Sequence, residues 1–217
     1  MFFLSGCWYA VDRYYVSDAV IDSGELQLER NGSLSLEGVL LIVRPANALH
    51  VYSPTDEAYS YGYYEDFGQG RVKTPDYFIF EILLQIGNAD VIIAPEKIAL
   101  YVDSQEINAV SYFSLERRYS RLDMFVGSLS VTKLCKNPGA KSWSGENPLK
   151  SSDEIPSNRK MKLEQNTDYC FAIKFKAPPP NPRTSFGVGI NGININGDDI
   201  RIPMIQYTPG TFIDRHA

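Results

Sequence analysis

Residues 77–115, YFIFEILLQIGNADVIIAPEKIALYVDSQEINAVSYFSL, decide the fold class. Four short apolar runs follow one another here: YFIFEILLQIG, DVIIAP, KIALYV and SYFSL. Between them fall Gly87-Asn88, Pro95 and Asp103-Ser104, which are turn and breaker signals. Each run has strand length, and each is rich in β-branched and aromatic residues. The pattern continues in YCFAIKF, in SFGVGINGINI and in DIRIPMIQY. No sustained alternation of strands with helical segments appears. Many short strands at this spacing predict an all-β chain, and we expect an immunoglobulin-like antiparallel β-sandwich over residues 76–217.

Working outward, GVLLIVRP reads as a buried strand. Before it, ELQLERNGSLSLE (residues 25–37) predicts a hairpin. A three-residue loop, Arg30-Asn31-Gly32, pairs Leu28 with Leu34 and Leu26 with Leu36 and keeps the leucines on one face. It also puts Gly32 where a bulged turn needs a left-handed residue. Around Asn196-Gly197, a four-residue or a two-residue loop keeps the isoleucines on one face. Leu115, Tyr119 and Leu122 in SLERRYSRLDMF have helical spacing, so at most one or two short helices are expected. APPPNP (residues 177–182) reads as a stiff connector. Residues 8–75 are expected to add strands, the hairpin and a Tyr-rich loop to the sandwich.

Composition narrows the function classes. Hydrophobic residues form 44% of the 217-residue chain, enough for a substantial core. The net charge of −5 argues against nonspecific nucleic-acid binding. No run of eighteen apolar residues occurs, so no segment predicts a transmembrane helix.

Letters 4–7 are Leu-Ser-Gly-Cys. They resemble the lipobox of bacterial lipoproteins, over these four residues only. The resemblance implies cleavage between Gly6 and Cys7 and a lipid on Cys7, with residues 1–7 a remnant of the signal peptide. Only Met1, Phe2 and Phe3 stand before the box, where a leader carries a basic and a longer apolar region. FFLSGCWYAV also reads as a first strand. By the resemblance, Trp8 after the cysteine implies an outer-membrane address facing the periplasm. The other two cysteines, Cys135 and Cys170, flank a long polar stretch. A bridge between them suits an oxidising compartment, and two reduced, buried thiols suit a cytosolic one.

Catalytic and cofactor motifs are weak. Gly187-Val188-Gly189-Ile190-Asn191-Gly192 spells GxGxxG, but the alternating INING that follows offers no helix start for a pyrophosphate. Only two histidines occur, His50 and His216, and no metal-ligand spacing includes them. Asp198-Asp199 falls in a turn. Arg117, Arg118 and Arg121 read as a solvated helix face. We expect neither a cofactor nor a metal.

The best binding candidate is the tract Tyr59, Tyr61, Tyr63, Tyr64, Glu65 and Asp66. Alternate tyrosines share a face of an extended segment and offer flat rings with polar tips, suited to a sugar or a protein partner. The expectation is a non-enzymatic, lipid-anchored envelope protein that binds a protein or an envelope component. A carbohydrate-binding or carbohydrate-cleaving protein using the tyrosine tract is the alternative, followed by a cytosolic β protein.

Overall fold

The computed structural model describes residues 10–21, 26, 33–53, 56–60, 76–114 and 154–216. Sixteen strands occur among them. They are β1 (Ala10–Val20), β2 (Ser33–Leu36), β3 (Val39–Pro45), β4 (Ala48–Ser53), β5 (Asp56–Ser60), β6 (Phe78–Ile86), β7 (Val91–Ile93) and β8 (Ile98–Val102). Then come β9 (Gln105–Ser114), β10 (Ile155–Pro156), β11 (Met161–Leu163), β12 (Thr167–Phe175), β13 (Phe186–Ile190), β14 (Ile193–Ile195), β15 (Asp198–Ile200) and β16 (Ile205–His216). Among the described residues one 3-10 turn, Pro95–Lys97, sits where Pro95 breaks the strand pattern. The expected all-β class is what is observed.

The layout differs from the expected sandwich. One large antiparallel sheet curls into a half-barrel, in the order β2-β3-β6-β12-β9-β8-β13-β16-β1-β4-β5, with β10 added on β9. A second, four-stranded sheet has the order β11-β7-β14-β15. An immunoglobulin-like double sheet is not shown. The reason lies in pairings between segments distant in sequence. The β1 strand runs antiparallel to β16 from Ala10–His216 to Val20–Gln206, and β3 pairs with β6. Apolar alternation marks strands but does not choose their neighbours.

Among the described residues, three hairpins turn on two residues in the left-handed region. Glu37-Gly38 joins β2 to β3, Asp103-Ser104 joins β8 to β9, and Asn196-Gly197 joins β14 to β15. Two consecutive positive φ values match the twist of the flanking strands. At the third, Ile195 pairs with Asp198 and Ile193 with Ile200, so the two-residue loop is the one formed. The expected Arg30–Gly32 turn lies outside the described residues. On the described side, β2 pairs with β3 through Glu37-Gly38, a turn the sequence pattern did not flag.

The core fills the space between the two sheets. Leu41, Leu84 and Tyr169 form one cross-strand row, and Val43, Ile82 and Phe171 the next. Val91, Ile93, Met161, Leu163, Ile193 and Ile195 of the small sheet join the same cluster. Rings pack closely: Phe78 on Phe175 at 5.8 Å, and Phe186 on Tyr207 at 4.8 Å.

The Tyr207 side chain is fully buried, and its hydroxyl has no hydrogen-bond partner. Burial raises its pKa far above that of a free phenol. An unpaired buried donor costs about 1–3 kcal/mol. Tyr207→Phe is therefore expected to raise the unfolding free energy by about 1 kcal/mol. Urea titration with an unchanged slope checks it, and a loss of stability contradicts it.

Candidate functional site

Strands β3, β6, β12 and the Ser111–Phe113 end of β9 bury residues on both faces, whereas antiparallel sheets commonly leave one face to water. Opposite the main core, Ile42, Leu83 and Cys170 form one buried cluster. Ala46, Tyr77, Ile79, Phe113 and Ala172 form another. Cross-strand registers align these side chains: Ile42 faces Leu83, Leu83 faces Cys170, and Ala172 faces Phe113. A bulge in β9 opposite Lys174 and Phe175 leaves Val110 as the extra residue. That extra residue keeps Ser111 and Phe113 on this outer face while Tyr112 enters the core.

Among the described residues, two ion pairs cross the outer face. Arg44 and Glu81 are directly opposite on β3 and β6. The guanidinium donates from Nη2 and from Nε to one carboxylate oxygen, at 2.7 and 3.1 Å. Further along, Lys174 Nζ donates to Glu154 Oε1 at 2.6 Å, and Ser111 Oγ donates to Glu154 Oε2 at 2.8 Å. The same ammonium lies 5.1 Å from the Tyr77 ring centre. Each carboxylate is thus held by a cation. This arrangement fixes charges in a largely apolar surface through charge-assisted hydrogen bonds.

Desolvation, with Asp76 and Glu154 nearby, pushes the Tyr77 phenol up to about 12. A phenol with a raised folded pKa contributes stability that is whole below the unfolded value near 10. That stability is lost as pH rises through 12. Unfolding free energies measured from pH 9 to 11.5 are expected to fall, and to fall less steeply in Tyr77→Phe.

Of the residues singled out in the sequence, only some are described, and those do not come together. Tyr59 stands in β5 at the end of the large sheet, opposite Leu49. Tyr61, Tyr63, Tyr64, Glu65 and Asp66 lie outside the described residues, as do Cys7, Cys135, Arg117, Arg118 and Arg121. His50 pairs with Tyr14 in the ladder, and His216 pairs with Ala10 at the far end of β1. Cys170 is disulfide-bonded and lies in the outer apolar cluster.

The first four of the GxGxxG letters form strand, and Asn191-Gly192 link β13 to β14. Gly187 and Gly189 sit in β13 between β8 and β16, and Gly192 turns the chain into β14 with φ of +79°. Asp198 and Asp199 belong to strand β15 and not to the turn expected for them, because Asn196-Gly197 alone makes the turn; Asp199 accepts a hydrogen bond from Asn194 Nδ2, its partner on β14. Among the described residues, no group of three or more histidines, cysteines or acids is placed to hold a metal. Among them, too, no helix is long and apolar enough to cross a membrane.

No protein-family model matches the chain, nor does any curated protein or solved structure. The candidate site therefore rests on its own geometry. Sequence reasoning missed Arg44, Tyr77, Glu81, Glu154 and Lys174. A signal did exist: Arg44, Glu81 and Lys174 are single charges inside otherwise apolar strand runs. Their pairing across strands could not be read without the register.

Proposed function

We propose that this protein is a lipid-anchored, non-enzymatic component of the bacterial cell envelope that binds a protein or another envelope constituent. The disulfide at Cys170 is the observation that carries it. Stable disulfides belong to oxidising compartments such as the periplasm and are rare in the cytosol. The chain has three cysteines, so Cys170 and its partner leave one more. Leu4-Ser5-Gly6-Cys7 gives that third thiol a role as the acylated residue. One acyl chain binds a bilayer marginally, and several hold it firmly, as on a processed lipoprotein cysteine.

Support for a binding role comes from the folded surface. Strands β1 and β16 form a long ribbon, but β13 meets β16 only at Ile205–Tyr207. Beyond that, Pro209 removes one donor from the strand, which blunts it against unspecific pairing.

Expression from the native gene in a bacterial host tests the anchor. The protein is expected in the membrane fraction, with a diacylglycerol-modified N-terminal cysteine by mass spectrometry. Cys7→Ala is expected to shift essentially all of it to the soluble fraction. A wild-type protein that is soluble and unmodified at Cys7 would refute the proposal.

A further inference from the structure

The buried outer face of β3, β6, β12 and β9 needs an occupant. Ala172 is 0% exposed, Phe113 2%, Ile42 5% and Cys170 6%. Among the described residues, the two apolar clusters there contain only residues of these four strands, with Ala46 and Tyr77. A solvated sheet face does not bury its side chains to this degree. Something else shields them.

Cys170 identifies the shield covalently. Its disulfide partner is Cys7 or Cys135, the remaining cysteines of the chain. The ladder registers separate these two. Ala10 faces His216, and the path runs down β16 to Tyr207 opposite Phe186. It continues through Gly187–Tyr101 and Tyr101–Glu106, and reaches β12 at Ala109–Phe175. Each step moves the same way along the strands, so Ala10 and Cys170 lie at opposite ends of the sheet. At ~3.3 Å per residue and with sheet twist allowed for, they are roughly 40 Å or more apart. Three residues from Ala10 to Cys7 span at most ~11 Å, and a disulfide adds ~6 Å between Cα atoms. Cys7 does not reach.

We infer that Cys170 is bridged to Cys135 and that residues 115–153 occupy the outer apolar face. Chain continuity agrees at both ends. The segment departs from Ser114, which pairs with Phe171 beside Cys170. It returns at Glu154, whose carboxylate binds Ser111 and Lys174 on this same face. Its extended length, on the order of 100 Å, is ample to cross four strands, which together span ~15 Å. The face is thereby filled by the chain itself, and a partner of this protein binds elsewhere while the bridge is intact. The inference is independent of the lipid anchor.

Wild-type protein supplies the test. Digestion under non-reducing, alkylating conditions is expected to give one linked pair, Cys135–Cys170, with Cys7 outside it. A Cys7–Cys170 link, or an unlinked Cys170, overturns the assignment. An amine-reactive cross-linker is expected to join Lys133 or Lys136 to Lys174. Hydroxyl-radical oxidation of Phe113, Ile42 and Leu83 is expected to rise several-fold in Cys135→Ser, with that of core Phe171 unchanged. If the cross-link is absent and oxidation of the outer residues stays at the wild-type level, residues 115–153 are not the occupant. A second copy or another protein then covers the face, and the inference fails.

Discussion

Phe171→Ala is expected to lower the unfolding free energy by about 3–5 kcal/mol. Phe171 is 0% exposed in the middle of β12, in register with Ile82 of β6 and Ser114 of β9. Its ring sits between neighbours held by ladders on both sides, so the site has little freedom to collapse after truncation. The lost transfer energy and the residual cavity therefore add. A denaturant titration checks it: the midpoint should fall with the slope unchanged. The same truncation at Val110, an exposed bulge residue at 44%, is expected to change stability by less than about 0.5 kcal/mol. Equal losses at both positions would contradict the placement of the core between the two sheets.

The second large effect falls on the outer face. Glu81→Ala is expected to cost about 2–3 kcal/mol, toward or below the low end for a broken buried ion pair. The discount follows from geometry. The side chains of Arg44 and Glu81 are 22% and 11% exposed, so water screens part of the interaction. Most of the cost comes from taking away the carboxylate directly opposite Arg44 in a largely apolar surface. Arg44→Met with Glu81→Leu is accordingly expected to be close to neutral, since it removes both charges and keeps apolar volume. A double-mutant cycle measured by urea unfolding separates these contributions. A double variant as unstable as Glu81→Ala would mean that the pair itself stabilises the face, contrary to the desolvation account.

Much of the sheet was legible because strands carry their evidence locally. YFIFEILLQIG, KIALYV and YCFAIKF became β6, β8 and β12, and Asp103-Ser104 became a two-residue turn. The first four of the GxGxxG letters were rightly read as strand, since the following alternation denied them a helix. The immunoglobulin-like arrangement was not obtained. Nothing local in Ala10–Val20 says that it lies against Ile205–His216, nearly the whole chain away. The Glu37-Gly38 turn was missed because Glu is an uncommon residue at a left-handed position. The paired charges were visible singly as Arg44, Glu81 and Lys174. Their mutual distances depend on which strands are neighbours.

The amino-acid sequence by itself determined the all-β class, most strand positions and the strand character of Gly187–Ile190. Those follow from period-two alternation and turn chemistry, which act over a few residues. Only the tertiary structure decided the half-barrel order, the two-sided burial of β3, β6, β12 and the Ser111–Phe113 end of β9, and the joining of Arg44 to Glu81 and Lys174 to Glu154. Strand partners are selected by the free energy of whole faces packing together, and that energy is a property of no single segment.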